Sequence, residues 1–221
     1  IGMIGLDTSH APAFVKLINS SGTASESSDG WPDMTVVAAF PGGSDDLPAS
    51  RDRVAGFTDQ IREMGIEIVD SIETLLAVVD AVLLESVDGR KHLYQSLPIF
   101  RTGKPVFIDK PLAADLTEAI AIDLIAKKYS SRWFSSSSLR FSPTIYRHSS
   151  PAARQKVLGA SSWGPSSLEP THVDLFWYGI HGVEILYTTM GIGCQQVTQT
   201  STEGADMVVG TWKEGRIGSF R

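Results

Sequence analysis

Short apolar runs alternate with helical segments over the first 138 residues of the chain. Six runs have the length and composition of buried strands, namely 1–6, 34–40, 66–70, 80–86, 104–109 and 132–138. Between them lie segments with helical spacing or helix-capping residues, namely 13–19, 51–65, 71–79, 91–103 and 116–130. Strands separated by helices pair in parallel through crossover connections. The alternation therefore predicts an α/β fold, a Rossmann-type doubly wound parallel sheet, while the Ser-rich stretch 20–33 predicts a loop.

In such a sheet, ligands bind at the carboxyl ends of the strands, which directs attention to the turns 5–10, 40–45, 85–92 and 109–111. The first turn follows the dinucleotide frame G-x-G-x-x-G but keeps only its first glycine, Gly5. Thr8, Ser9 and the amides up to His10 could bind a phosphate at the start of the next helix. Asp7 opposes an anion there unless local amides bond to it. The alternative, equally open, is that Asp7, Thr8 and Ser9 only cap the helix.

The turn after the second strand also departs from the usual pattern. NAD sites commonly carry an acid at the end of this strand for the ribose hydroxyls, whereas here the strand ends at Phe40 and continues to Ser44 without one. The sequence therefore leaves NAD and NADP both open. Ser44 or Arg51 is a candidate for contact with a 2′-phosphate.

Charge and composition narrow the possible partners. The net charge is −6, which disfavours nucleic acid and anionic membrane, since both are bound through basic surface. The sequence contains no run of 18 apolar residues that would predict a transmembrane helix. The single cysteine, Cys194, is compatible with a reducing compartment, so we expect a cytoplasmic protein.

Two stretches, DAVLLESVDGRKH at 80–92 and TGKPVFIDKPLA at 102–113, resemble the Gfo/Idh/MocA (glucose–fructose oxidoreductase / inositol dehydrogenase) family. In that family a Gly-Lys strand ends in Glu-Lys-Pro, and here the motif is Asp109-Lys110-Pro111. The resemblance implies that Lys110 lies beside the nicotinamide and the substrate, and that Ser86 and Asp109 are cofactor-binding candidates. A lysine at the carboxyl end of a parallel strand can orient a hydroxyl or assist loss of its proton. The alternative is a surface lysine before a turn.

The sequence after the sixth strand resembles the passage into the family's second domain. The segment 135–143, SSSSLRFSP, makes Arg140 a candidate for a phosphate or substrate contact. A glycine followed by a strand lies within 156–165. We therefore predict a dinucleotide-binding domain over 1–138 and a substrate or oligomerisation domain over 139–221. The second domain is expected to be α+β, with one helix and room for about three strands in a partial open sheet.

The segment 176–191, FWYGIHGVEILYTTMG, carries the most specific resemblance, because Gly179, His181, Glu184 and Gly191 fall in the family's frame. His181 then corresponds to the catalytic histidine, a side chain suited to proton transfer near neutral pH. The alternative is a histidine buried in the core.

One family position differs. Trp177 stands where the family has an aspartate, and it offers a flat wall to a sugar ring. Asp174 is a catalytic candidate in place of that acid, and the neighbouring His172 is a substrate candidate. His172, Asp174 and His181 together could also hold a metal ion, but no ligand-spacing signature supports this, so we predict no metal.

The resemblance implies an NAD(P)-dependent oxidoreductase that transfers a hydride between a nicotinamide and a hydroxyl of a sugar, polyol or related small molecule. The missing glycines, ribose acid and aspartate favour the alternative, a non-catalytic ligand-binding or structural protein on the same scaffold. The second sheet looks unfinished, so the chain is either naturally short or part of a longer one. Its open edges and the apolar residues Met207, Val208 and Val209 predict a homo-oligomer.

Overall fold

The computed structural model describes residues 1–21 and 34–221. The predicted loop 20–33 therefore lies almost entirely outside the described residues. The chain forms two compact units, Ile1–Ser135 and Ser136–Arg221. The division falls three residues before the boundary expected from the sequence, which was residue 138. None of the helices in the described ranges is both long and apolar enough to cross a membrane.

The first unit is built on a six-stranded sheet whose strand order is β3-β2-β1-β4-β5-β6. β1 pairs in parallel with β2 and β4, β2 pairs in parallel with β3, and β4 pairs in parallel with β5. The strands are β1 Gly2–Ile4, β2 Ala38–Phe40, β3 Glu67–Ile68, β4 Val82–Leu84, β5 Val106–Asp109 and β6 Trp133–Ser136. This is the doubly wound order, and its direction reverses between β1 and β4. The predicted α/β Rossmann-type fold is confirmed.

Five helices connect these strands, and local sequence signals explain several of their ends. They are α1 His10–Ser21, α2 Pro48–Glu63, α3 Ile72–Val78, α4 Gly89–Thr102 and α5 Leu116–Lys128. Ser71, Asp88 and Asp115 each accept an amide hydrogen bond at a helix N-terminus. Gly103 ends α4 in the left-handed conformation, with φ of 71°.

The sequence predicts an interruption of the helix at Pro98, but α4 continues through it. Proline removes one backbone donor and normally kinks a helix. Here the buried residues Gln95, Ser96, Ile99 and Phe100 lie on both sides of Pro98. Burial of that shared face stabilises the helix on both sides of the proline.

The core of the first unit lies on both faces of the sheet. One cluster joins Leu84 and Ile108 of the strands to Leu75, Phe100 and Ile122 of α3, α4 and α5. The other joins Met3 and Ala39 of the strands to Val15 and Ile61 of α1 and α2. Helices therefore cover both faces, and this leaves the carboxyl ends of the strands as the place where polar turns gather.

The second unit has a four-stranded mixed sheet of order β7-β10-β9-β8. Its strands are β7 Gly159–Ser162, β8 Cys194–Thr202, β9 Ala205–Trp212 and β10 Ile217–Phe220. Its helices are α6 Pro143–Tyr146, α7 Pro151–Arg154 and α8 Ile180–Met190. α8 lies against β10 so closely that a Cβ on Gly182 would be 2.2 Å from the Phe220 ring.

The sequence predicted about three strands in this region and the structure has four. The strand that departs most from a buried pattern is β8, whose residues after Cys194 are all exposed. Its sequence, CQQVTQTST, lacks the alternation of apolar and polar residues that identifies a half-buried strand. Pairing with β9 forms this strand without any apolar face of its own.

Candidate active site

The turn after β1 requires glycine at position 5. Gly5 has φ of 89°, and a Cβ there would lie 2.3 Å from the backbone nitrogen of Ser86. Its amide donates to the carbonyl of Phe40, and the Leu6 amide donates to that of Pro41. The one glycine that remains of the dinucleotide frame therefore lets three turns, those after β1, β2 and β4, come together.

The Asp7 side chain is fully buried and bonded inside the first unit. It accepts hydrogen bonds from the Ser50 hydroxyl at 2.6 Å and the Val87 amide at 2.9 Å. Burial raises the pKa of Asp7, although these two bonds act in the opposite direction. An amide therefore bonds to this aspartate, and it comes from Val87, 80 positions away in the sequence.

A chain of hydrogen bonds continues from Asp7 across the sheet edge. Ser50 accepts from the Ser44 amide at 2.8 Å, and the Ser44 hydroxyl donates to Asp88 at 2.7 Å. Arg90 donates to Asp88 at 2.7 Å, and Asp88 also caps α4. We call Asp7, Ser44, Ser50, Asp88 and Arg90 the closed network, because each of its buried side chains has a bonded partner.

Electrostatics in the closed network differ between its two aspartates. Burial alone would raise the pKa of Asp88, but hydrogen bonds from Arg90 and Ser44 outweigh it, so the pKa is lowered. The Ser44 hydroxyl, a candidate for the 2′-phosphate, is thus engaged with Asp88. Arg51, the other candidate, is exposed and pairs with Asp52.

Thr8 and Ser9 directly precede α1, which begins at His10. The Thr8 hydroxyl accepts from the His10 amide at 3.4 Å, and Ser9 is exposed. No acidic residue lies in the first turn of α1 itself, and its amides carry the partial positive charge of a helix N-terminus.

The turn after β4 is fixed to the turn after β5 by His92. This fully buried ring has Nε2 at 2.8 Å from the Ser86 carbonyl and Nδ1 at 3.2 Å from the Leu112 carbonyl. Burial lowers the pKa of His92, which favours the neutral ring. The Ser86 hydroxyl, a predicted cofactor contact, donates to Gln95 at 2.9 Å.

A second group of polar residues lies where β1, β4 and β5 end. His10 Nδ1 is 2.6 Å from Asp109 Oδ2, and Glu85 lies beside them with no exposed surface. In the described part of the chain, no residue donates a hydrogen bond to either Glu85 side-chain oxygen. We call His10, Glu85 and Asp109 the open cluster. Lys110, partly buried, follows Asp109 directly, at the predicted strand end.

Burial is the largest influence on Glu85 and raises its pKa well above the usual value. The charge of Asp109 acts in the same direction, whereas Lys110 lowers the pKa. The sequence analysis did not select Glu85. Its signal was present, since VLLE at 82–85 and VFID at 106–109 are two apolar strands that each lead into an acid.

A cavity of about 550 Å³ opens beside these turns in the first unit. Its lining includes the left-handed Gly42 and Gly43 of the turn after β2, together with Tyr94, Lys91 and Arg101 of α4. The volume lies within the range of small-molecule sites, roughly 300–1,000 Å³. The acids Asp70 and Glu73 also line it. Glycines, an aromatic ring and two cations are suitable neighbours for a nucleoside, and the two acids place any phosphate on the side of the cations.

The second unit positions His181 in the first turn of α8, as the sequence predicts. Its Nδ1 lies 2.7 Å from the hydroxyl of the buried Ser137. Glu184 accepts from the Ser137 amide at 2.6 Å and from Arg140 Nε at 2.5 Å. Arg140, a candidate for a phosphate or substrate contact, is therefore paired with Glu184. Gly191, with φ of 78°, ends the helix.

His172, Asp174 and Trp177 lie in the segment before α8. His172 is buried, its Nδ1 is 2.9 Å from the Thr171 hydroxyl, and its ring is 4.8 Å from that of Trp177. Asp174 is exposed and accepts from Gln199 at 3.3 Å. Over residues 1–21 and 34–221, the one group of three side chains able to ligate a metal together is His10, Glu85 and Asp109, not His172, Asp174 and His181.

Comparison with known proteins finds a family match that lies almost entirely within the first unit. Residues 46–136, 91 of the 221, match the model of the GFO_IDH_MocA oxidoreductase family, described as an NAD-binding Rossmann fold. Over those residues the first unit is similar to this family. No match is found among curated proteins.

Solved structures share the fold of this chain at low sequence identity. An NAD-binding protein from Listeria innocua has a TM-score of 0.71 at 16% identity, over 99% of this chain and 65% of its own. GenD2 from gentamicin A biosynthesis, solved with NAD, has a TM-score of 0.72 at 14% identity, over 99% and 64%. The dehydrogenase MviM from Clostridium difficile has a TM-score of 0.68 at 18% identity, over 100% of this chain and 69% of its own. The chain spans less than two thirds of the length of the Listeria protein and of GenD2.

The residues of the first unit fit a dinucleotide, although two glycines of the usual frame are missing. Gly5 permits the close approach of turns that a side chain would block. The Asp7 carboxylate is bonded within the unit and is shielded by burial. The N-terminus of α1 carries no acid, and the 550 Å³ cavity lies at the turn after β2. Gly5, α1 and Gly42–Gly43 are the elements that would hold the cofactor.

Proposed function

We propose that the chain is part of an NAD(P)-dependent oxidoreductase acting on a hydroxyl of a sugar, polyol or related small molecule. The observation that carries the proposal is the position of Lys110 at the carboxyl end of β5, in an NAD-binding fold and beside the buried carboxyls of Glu85 and Asp109. The cofactor, when bound, supplies the hydride acceptor. The residues of this chain supply orientation and proton transfer.

The dinucleotide is placed by three features of the first unit. Its pyrophosphate lies at the N-terminus of α1, where backbone amides and the helix dipole attract phosphate. Ser9 is the exposed hydroxyl of that turn. Its adenosine enters the 550 Å³ cavity, where the Tyr94 ring is exposed and Gly42 and Gly43 leave room for close approach. Choice between NAD and NADP depends on Lys91, Arg101 and Arg51, the cations near this end.

Lys110 orients the substrate in this proposal. Its ammonium donates a hydrogen bond to the reacting hydroxyl and stabilises the negative charge that grows on the oxygen. His181 receives the hydroxyl proton. For that role Nδ1 carries its hydrogen toward Ser137 and Nε2 accepts, an arrangement that the 2.7 Å contact with Ser137 allows. Ser137 itself is held by Glu184, so the ring orientation has a buried support.

Trp177 and His172 favour a substrate with a flat or ring-shaped apolar face. The two ring centroids lie 4.8 Å apart with the rings tilted by 55°, so the buried His172 supports the partly exposed Trp177 ring in the second unit. Asp174, exposed and bonded to Gln199, would bind substrate hydroxyls. The same departure, Trp177 where the family has aspartate, favours the second candidate function, a non-catalytic binding protein.

The experiment that separates the two functions is a turnover assay on a panel of sugars and polyols. Each compound is mixed with NAD or NADP, and reduced nicotinamide is followed by absorbance. The oxidoreductase function predicts turnover with at least one compound and its loss in Lys110→Ala. Saturable binding of a dinucleotide together with no turnover on any compound would favour the binding protein. Absence of both would contradict the proposed function.

We also propose that the second unit self-associates and that the protein is cytoplasmic. The apolar strand residue Met207 is 40% exposed, and the edge strand β8 is exposed over nearly all its length. Exposed strand edges are sites of pairing between chains. Sedimentation at tens of micromolar is expected to show a dimer or larger species, and a clean monomer would contradict it.

A further inference from the structure

The open cluster carries an inference that is independent of hydride transfer. Its three side chains come from the start of α1, the residue after β4 and the last residue of β5, so the fold brings them together from distant parts of the sequence. One donor atom of each lies within 4.8 Å of the others. The cluster thus contains one imidazole nitrogen and two carboxylates in a small volume.

Within the open cluster, the carboxyl group of Glu85 has no hydrogen-bond donor among the described residues. Both carboxylate oxygens are buried, and no residue in the described ranges donates a hydrogen bond to either one. An unpaired buried carboxylate is costly, because it loses hydration without compensation. The closed network shows that this edge of the sheet normally bonds its buried acids. The exception at Glu85 therefore points to a ligand that the protein does not itself provide.

The charge and type of these donors define that ligand. When both carboxyl groups are ionised they bring two negative charges, and a divalent cation would neutralise both. A neutral imidazole with two carboxylates is a donor set of the kind that binds first-row divalent ions such as Zn²⁺ and Mn²⁺. The oxygen-only environment that Mg²⁺ and Ca²⁺ prefer is not matched, since His10 supplies nitrogen.

The geometry is compatible with one ion. Zinc holds nitrogen and oxygen ligands at about 2.0–2.2 Å, so two ligands of one ion are at most roughly 4.4 Å apart. The three ligand atoms lie within 4.8 Å of one another, so small side-chain rotations would bring them to ligand distance from one ion. The 2.6 Å contact between His10 and Asp109 would then open, with Nδ1 giving up its hydrogen. His10 is about one third exposed, which leaves a path from solvent.

We propose that His10, Glu85 and Asp109 bind one divalent transition-metal ion of the zinc or manganese type. Three protein ligands leave at least one coordination position for water or for an oxygen of a small molecule. The proposal goes beyond the oxidoreductase function and does not rest on it. A chain that binds metal but no dinucleotide would contradict the proposed function and leave the metal site standing.

The test uses the whole chain, freed of metal by chelation, and ZnCl₂ or MnCl₂ alone as the probe. Calorimetric titration is expected to show one ion per chain, and either ion should raise the melting temperature. Glu85→Gln and Asp109→Asn keep side-chain volume and remove a charged ligand. Each should weaken binding about a hundredfold, at least as much as the loss of an outer-shell partner.

Matched controls separate the cluster from general effects of charge. Glu63→Gln removes an exposed acid on α2, and His148→Ala removes a histidine of the second unit. Both should bind metal as the parent does. If Glu85→Gln fails to fold, His10→Ala replaces it, because that side chain is partly exposed at the start of a helix. No binding by the parent at millimolar metal, or parent-like binding by the cluster variants, would overturn the proposal.

Discussion

Two groups of buried acids lie at the same edge of the first sheet and differ in how they are satisfied. In the closed network, Asp7 and Asp88 accept hydrogen bonds from Ser50, Val87, Ser44 and Arg90. In the open cluster, Glu85 accepts none from the described residues. Both groups join turns that follow different strands, so both depend on the same topology.

This difference in hydrogen bonding distinguishes residues that stabilise the turns from residues that are candidates for binding a ligand. A buried acid with complete bonding stabilises the fold and needs nothing further. A buried acid without bonding lowers stability unless something binds to it. Asp7 and Ser44, selected from the sequence as cofactor contacts, belong to the first kind by their bonding. Glu85, which the sequence analysis passed over, belongs to the second.

The largest expected effect is on stability, from Asp88→Ala in the closed network. The change removes the cap of α4 and the acceptor of Ser44 and Arg90. A lost cap costs about 1 kcal/mol and lost charge-assisted bonds about 2 kcal/mol more. Urea unfolding should therefore show a loss of about 3 kcal/mol. Asp123→Ala, which breaks only an exposed pair with Lys127, should cost less than about 1 kcal/mol. An equal loss of unfolding free energy in the two variants would contradict a special structural role for the closed network.

Lys110→Ala tests the functional side of the comparison. Loss of the ammonium beside the open cluster should lower turnover about a hundredfold, the usual size for a group that assists proton transfer. The melting temperature should change little, since Lys110 is not part of the closed network. Lys104→Ala is the matched control, because Lys104 precedes the start of β5 while Lys110 follows its end. If turnover in Lys110→Ala stays at the parent level, Lys110 has no role in the reaction and is only a lysine before a turn.

The smallest effect is the pH dependence of the two aspartates within the closed network, which should have opposite signs. The pKa of Asp7 is raised, so its ionisation costs stability as pH rises from about 4, the unfolded value. The pKa of Asp88 is lowered, so its stabilisation is present above about 4 and is lost as pH falls. Relative to the parent, Asp7→Asn should gain stability with rising pH and Asp88→Asn should lose it. Urea unfolding over a pH series measures both, and parallel trends would refute the assignment.

Much of the first unit could be predicted from the sequence, for physical reasons. Buried parallel strands are continuous apolar runs, and helix ends carry local signals such as Ser71 and Gly103. The strand-end position of Lys110 followed from the same logic. The helical position of His181 followed from the resemblance.

The contacts between turns could not be predicted. The bonds from Asp7 to Val87 and from Ser44 to Asp88 join residues 80 and 44 positions apart, and no local pattern encodes them. The strand β8 was difficult for the opposite reason, since it is polar and exposed along its length and has no periodicity to detect. The pairing of Arg140 with Glu184 likewise depends on a fold-level contact.

The most direct test of the account is titration of the chain with NADH and NADPH, read by nicotinamide fluorescence. The account predicts saturable binding of at least one dinucleotide below millimolar concentration. Binding should be weakened in Gly5→Ala, where a Cβ would strike the Ser86 backbone, and kept in Gly56→Ala, where a Cβ meets open space. Absence of binding of both dinucleotides at millimolar concentration, by a chain that is folded, would contradict the account.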